Sequence, residues 1–281
     1  MPTEHYTPNF YNEIRDGSAR SAEVIVPLVS NLLHPASVVD VGCGDGTWLS
    51  IFRKLGTQEI VGVDGDYVRP DLLQIPPENF CPADLAKPFT LDRTFDLAVS
   101  LEVAEHLPAG AASSFVASLT RLAPVVLFSA AIPFQGGNHH VNEQWPDSWA
   151  ALFRQHNYVP VDCIRKHVWQ NSAVEWWYAQ NALLFVQPGL FETNPALYAE
   201  FRNTNACQLA VVHPRNYLDA LVAIDPCPWG VKTSVRLFLL CLSNFLKRRF
   251  AGNASAQNPP NFNLALENSS YRGISRRPSQ N

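Results

Sequence analysis

At 281 residues with a hydrophobic fraction of 47%, the chain has room for one globular domain of ordinary size plus extensions. Its 21 basic and 25 acidic residues give a net charge of −4, which excludes the basic footprint of a nucleic-acid binder. The six cysteines (43, 81, 163, 207, 227 and 241) form no C-x-x-C pair or zinc spacing, as expected of reduced, mostly buried thiols in a cytosolic protein; the start carries no signal-peptide pattern and no apolar run reaches transmembrane length.

A helix over 17–34 leads into a strand over 38–41, whose β-branched run contains Asp40. Glycines follow at 42, 44 and 46, then a helix over 46–55. This is a buried parallel strand running into a tight glycine loop. Glycine lets backbone approach a ligand where a Cβ would clash. Open α/β sheets bind ligands at the carboxyl ends of their strands. The spacing is G-x-G-x-G rather than the dinucleotide G-x-G-x-x-G, because residue 47 is Thr. No Lys or Arg follows the loop to meet a phosphate. A second strand, 59–63, leads to Asp64, 22 residues after Gly42 and near the ~20 expected of a carboxylate that accepts from ribose hydroxyls. After a short helix over 68–74 and a strand over 79–82, Asp84 offers an acceptor for an adenine amino group.

The strand 94–100 opens into Ser100-Leu-Glu-Val-Ala-Glu-His-Leu107. Glu102, Glu105 and His106 form an E-x-x-E-H pattern at the carboxyl end of the fourth strand. Two carboxylates and an imidazole are able to hold a divalent cation such as Mg²⁺. The alternative is that the acids contact backbone amides and His106 lines the pocket. A helix over 110–122 and a strand over 125–128 precede a long polar loop with Gly136, Gly137, His139, His140, Asn142, Glu143 and Trp145. Such a loop suits substrate binding. His140 is the expected fourth ligand, with His139 as its substitute. A helix over 147–156, capped by Asp147, and strands near 158–168 and 175–186 complete an α/β doubly wound sheet of seven strands, mostly parallel with an antiparallel last strand. Five of seven tryptophans fall between 145 and 177. Trp145 is expected to wall the acceptor, and Trp149, in helical register with Phe153, to pack in the core.

The order of these pieces resembles class I S-adenosylmethionine (SAM) methyltransferases, with their Rossmann-like fold. The resemblance implies a cofactor site of Asp40, Gly42, Cys43, Gly44, Gly46, Asp64, Gly65, Asp84, Leu85, Ser100 and Glu102. The E-x-x-E-H pattern also resembles metal-dependent O-methyltransferases of small-RNA 3′ ends and of ubiquinone synthesis, which implies Glu102, Glu105, His106 and His140 as metal ligands. Residues 16–22, 40–46, 100–107 and 140–145 resemble a bacterial subgroup often found among cell-surface polysaccharide genes. That implies O-methylation of a sugar hydroxyl, with His106, His140 and Glu143 as catalytic residues and Asn142 and Trp145 toward the acceptor. Other readings are an O- or N-methyltransferase of a small aromatic or lipid metabolite, and a non-catalytic scaffold.

The expected organisation is an N-terminal arm and helix over 1–36, a methyltransferase domain over 37–187, a helical extension over 188–250 and a disordered tail over 251–281. Within 231–250, Val235, Phe238, Leu239, Leu242, Phe245 and Leu246 fall on one helical face, followed by Lys247, Arg248 and Arg249. This face either packs on the domain or on a second subunit, or lies on the inner membrane surface as a peripheral contact.

Overall fold

The computed structural model describes residues 8–224, 231, 235, 236 and 238–243, with backbone alone at 8–15 and 222–224. The chain divides into two compact units, 1–224 and 225–281. The first carries the sheet and the candidate site. Residues 188–224 belong to it and pack with the domain expected over 37–187. Arg165 is 3% exposed and its Nη1 donates to Leu209 O, which ties the later segment into the fold. The tail expected over 251–281 lies outside the described residues.

The sheet has seven strands in the order β3-β2-β1-β4-β5-β7-β6. They are β1 (Ser37–Val41), β2 (Glu59–Asp64), β3 (Phe80–Pro82), β4 (Leu97–Leu101), β5 (Val125–Ser129), β6 (Val159–Val161) and β7 (Leu183–Val186). All neighbours pair in parallel except β7, which runs antiparallel between β5 and β6. The strand order reverses between β1 and β4, the switch point at which such sheets open a ligand crevice.

Strand periodicity splits the core in two. Val38, Leu97, Val99, Val125 and Leu127 face one cluster with α1 (Pro8–Leu33) and α2 (Thr47–Lys54). Val39, Ala98, Val126 and Phe128 face the other with α3 (Ala112–Leu122) and α4 (Pro146–Arg154). Successive strand residues point to opposite faces, and both faces are covered, so the strands read as near-continuous apolar runs. Phe153 stacks on Phe185 at 3.9 Å, and Trp149, 2% exposed, lies 5.3 Å from Phe128. Trp149 is a core residue.

Four details differ from the sequence reading. Helix α1 starts at Pro8, earlier than residue 17. Strand β4 starts at Leu97; the Asp96 carboxylate just before it accepts from Ala36 N and Ser37 N. Trp145 occupies the N-cap of α4 with Pro146 in its first turn, so Asp147 lies inside the helix. The last two strands are short, and α5 (Arg165–Val168) and α6 (Trp176–Asn181) stand between them. Helices α7 (Pro195–Asn203) and α8 (Pro214–Ile224) follow β7.

Candidate active site

The site is assembled where β1, β2, β4 and β5 end. After β1, φ is +85° at Gly42, +55° at Gly44 and +81° at Gly46. Gly42 N and Cys43 N donate to Val63 O at 2.7 and 3.3 Å, which ties the loop to β2. A Cβ at Gly42 would meet Val103 Cγ2 at 2.3 Å, and one at Gly46 would meet Ile75 Cγ1 at 2.9 Å. A Cβ at Gly44 would meet nothing within 4 Å. Gly42 and Gly46 therefore let protein pack on the loop, while Gly44 borders open space. Cys43 contributes backbone only. Its buried Sγ is directed at Gly62, whose own Cβ would lie 2.7 Å away, and burial pushes the thiol pKa far up.

Asp64 is 4% exposed. Its Oδ2 accepts from Gly44 N at 2.7 Å, and its Oδ1 from Gly65 N at 2.7 Å and Tyr67 Oη at 2.5 Å. Burial, then the Asp64 and Asp45 carboxylates, hold Asp40 well above the usual carboxylate range. With three acids around it and neither Lys nor Arg in 40–47, the loop suits a positively charged ligand. SAM carries a sulfonium and an ammonium, and fits; a pyrophosphate would add to the repulsion. Asp84 stands exposed after β3, where Lys87 and the Ala86 amide hold its pKa below the usual range. Leu85 is buried in the core, so its side chain is withheld from a cofactor. Ser100 Oγ is buried with no hydrogen-bond partner among the described residues.

Glu102 turns the chain out of β4 in the left-handed region, φ +55°, a costly conformation for a residue with a Cβ. Its amide donates to Ser129 O and Oγ at 3.0 and 3.1 Å. Its carboxylate accepts from Asn181 Nδ2 and Gln135 Nε2, both at 3.2 Å. Burial raises its pKa against these hydrogen bonds. Glu105 is wholly buried. Its Oε1 accepts from Ala131 N at 3.2 Å, while Oε2 has no protein donor. Burial, then the Glu102 charge, raise its pKa strongly.

The expected four-residue metal cluster is reduced to three. Ligand atoms of Glu105, His106 and His140 lie within 4.8 Å of one another. Glu102 is not one of the three; its carboxylate is held by Asn181 and Gln135. The rings of His106 and His140 meet edge to face at 4.9 Å. Burial, then His140, lower the His106 pKa. His140 Nδ1 lies 3.0 Å from Glu143 Oε1. A carboxylate only accepts, so Nδ1 carries the hydrogen, and in the neutral ring Nε2 holds the lone pair. Glu143 also accepts from Phe134 N and Gly136 N at 2.8 and 2.9 Å. It is therefore a positioning residue that shapes the loop and fixes the His140 tautomer. Asn142, expected at the acceptor, is 4% exposed, with Nδ2 donating to Ala104 O and Oδ1 accepting from Gln144. Burial leaves it no free polar atom. Trp145 is half-buried at the start of α4.

Sequence reasoning missed Gln135, Gln180 and Asn181, the amides that surround Glu102. Gln180 and Asn181 are buried beside the apolar run of β7. Two amides abutting such a run are the signal that was there to be read.

Fold and loop together define a class I SAM-dependent methyltransferase. The family described as "Methyltransferase domain" matches residues 11–183, more than half of the chain, and the chain belongs to that family. Similar folds include the sugar N-methyltransferase KedS8 from Streptoalloteichus sp ATCC 53650 (15% identity, TM-score 0.49, covering 66% of this chain and 97% of that one). Others are Streptomyces venezuelae DesVI (16%, 0.48, 63% and 95%) and an O-methyltransferase family protein from Burkholderia thailandensis (15%, 0.46, 64% and 59%). The chain thus spans 59% of the length of the Burkholderia protein. At such identities the likeness concerns the fold alone. No curated protein sequence matches the chain.

Proposed function

We propose that the protein is an O-methyltransferase that acts on a sugar hydroxyl of a glycan or a glycan precursor. The observation that carries the O-transfer reading is the Glu143–His140 pair at 3.0 Å, with His106 beside it at the carboxyl ends of β4 and β5. Asp64, the Gly44 amide region and Asp84 would hold SAM, which when bound supplies an electrophilic methyl carbon. The chain's own task is to align an acceptor oxygen and remove its proton. Good alignment is worth about 7–11 kcal/mol at the upper end. A positioned base contributes roughly 10²–10⁴-fold. His140 Nε2 is the proton acceptor, and Glu143 stabilises the imidazolium that forms. The measurement is mass-spectrometric screening of neutral and acidic saccharides, phenols and lipid hydroxyls with labelled SAM. Methylation of phenols or lipids alone would replace the sugar reading.

The trio Glu105, His106 and His140 favours a second mechanism, in which a divalent cation lowers the hydroxyl pKa. Glu105 would hold the cation as a carboxylate, its proton released to solvent. EDTA that abolishes turnover, with recovery in Mg²⁺ or Mn²⁺, supports it; chelator-insensitive turnover leaves the histidine base.

Peripheral membrane contact through 231–250 would bring the enzyme to lipid-linked acceptors. Of that segment residues 231, 235, 236 and 238–243 are described, all helical, and no described helix is long and apolar enough to cross a membrane. Co-sedimentation with anionic liposomes that is lost on truncation after Gly230 supports this contact. Equal binding of both forms, or of neither, rejects it.

A further inference from the structure

A second cleft, of about 540 Å³, opens on the far side of α6 from Glu102. Helix α6 is the wall between the two. Trp176 and Ala179 line the cleft. Tyr178, 5.2 Å from the Trp48 ring, and Asn181, bonded to Glu102, point the other way. Positions three apart share a helical face, which produces this division.

The cleft is aromatic, and two arginines and the Glu175 carboxylate line it. The His213 ring lies 4.9 Å from Trp169 and 6.5 Å from Trp176, nearly parallel to the latter at 22°. Both His213 nitrogens are committed: one donates to Trp169 O at 2.9 Å and the other accepts from Arg215 N at 3.2 Å. His213 is therefore a fixed wall. Arg20 and Arg215 line the same space. Arg20 pairs with Glu175 at 2.9 Å and stays half exposed, while Arg215 approaches Asp219 only to 4.0 Å and is 66% exposed. An exposed arginine fork held by its own carboxylate only at 4.0 Å is suited to a carboxylate or phosphate on a ligand. Flat indole faces suit the CH face of a sugar ring.

We propose that this cleft binds an anionic sugar, with the ring against Trp169 and Trp176 and the acid group on Arg215. The assignment of the cleft to the acceptor's own remainder rests on the sugar-methyltransferase reading; the binding itself does not. Gln180 couples the cleft to the site. Its Oε1 accepts from His213 N at 2.8 Å and Asn216 Nδ2 at 3.1 Å. Its Nε2 donates to Gln135 and Asn181 Oδ1, both at 3.0 Å, and those two amides hold Glu102. One side chain thus carries a shift of His213 to the acid beside the methyl-transfer centre.

The test uses the full chain and four probes: methyl β-D-glucuronide, glucose 1-phosphate, neutral methyl β-D-glucoside and inorganic phosphate. Binding is read by tryptophan fluorescence and by calorimetry. Both anionic sugars should bind at least about tenfold more tightly than the glucoside, a difference of 1.4 kcal/mol, and more tightly than phosphate. Arg215→Gln should erase the preference for the anionic sugars, and Trp176→Ala should weaken all three sugars. SAM affinity, measured in parallel, should stay unchanged in both variants and reports that each is folded. Equal binding of charged and neutral sugars, or binding that ignores both substitutions, overturns the cleft. If anionic sugars bind as described but no saccharide is methylated, the sugar-acceptor reading falls and the cleft stands. If a saccharide is methylated with unchanged KM in both variants, the cleft falls as part of the acceptor site and the sugar-acceptor reading stands.

Discussion

The Tyr67 hydroxyl donates to Asp64 Oδ1 at 2.5 Å and so holds one of the acceptor sites that a ribose diol needs. A carboxylate offers about four lone-pair sites. Gly44 N, Gly65 N and Tyr67 Oη use three of those on Asp64. Two ribose hydroxyls require two, so the tyrosine has to yield when SAM binds. Tyr67→Phe should tighten SAM roughly two- to tenfold, the net worth of a hydrogen bond of about 0.5–1.5 kcal/mol. Asp64→Ala should weaken it by an order of magnitude or more. Calorimetry decides, and weaker binding in Tyr67→Phe would make the hydroxyl a ligand contact instead.

Gly137 fixes the place of His140. It has φ +149°, and a Cβ there would lie 2.3 Å from His140 Nε2. Gly137→Ala should displace the imidazole and lower kcat roughly 10²–10⁴-fold, as His140→Gln should. SAM affinity should be unaffected in both, because Asp64 and the glycine loop are untouched. A Gly137→Ala enzyme with normal kcat would show that His140 is not the base.

Glu105 links stability to pH. Its folded pKa is raised above the unfolded value near ~4.3. The folded form therefore holds a proton that the unfolded chain releases. Stability from this group is fully present below about pH 4.3 and declines as pH rises through the folded pKa. Glu105→Gln preserves an oxygen for Ala131 N and cannot ionise. The variant should gain stability relative to wild type as pH rises from 5 to 8, seen as a growing difference in Tm. A pH-independent difference would mean that Glu105 is ionised in the folded protein, which is the state the metal mechanism needs.

The sheet was legible because strands buried on both faces leave continuous apolar runs, as in 38–41 and 125–128. The cofactor loop was legible because glycines at positive φ and an acid at each strand end are local demands. What the sequence hid was long-range. Glu102, Glu105, His106 and His140 look like one cluster in one dimension, yet the Glu102 carboxylate is held by Asn181, 79 positions later. Asn142 resembles a substrate contact until its burial against Ala104 O is known. Helices α5 and α6 were hidden among the aromatic residues of 165–181, because their burial depends on Arg165 and on α1 packing through the Arg20–Glu175 pair. Two of the five described cysteines, Cys207 and Cys241, are exposed, since they fall after β7, beyond the strands that bury Cys43 and Cys163.

His106 provides a pH signature for the histidine pair. Burial first, and the neighbouring His140 next, depress its pKa below the usual 6.5. Because the folded value is the lower one, the stability it contributes is present above pH 6.5 and is lost as pH falls through the folded pKa. The rings meet at 4.9 Å, so protonating one opposes protonating the other. Replacing His140 by Gln removes that opposition while leaving the burial of His106 in place. The His106 titration, followed by the NMR shift of its Cε1–H, should move upward in His140→Gln. The acid limb of any residual activity should move with it, since the remaining imidazole is then the only base at hand in the trio. An unchanged His106 titration in the variant would mean that the two rings do not sense each other, and the paired-histidine account of the site would fail.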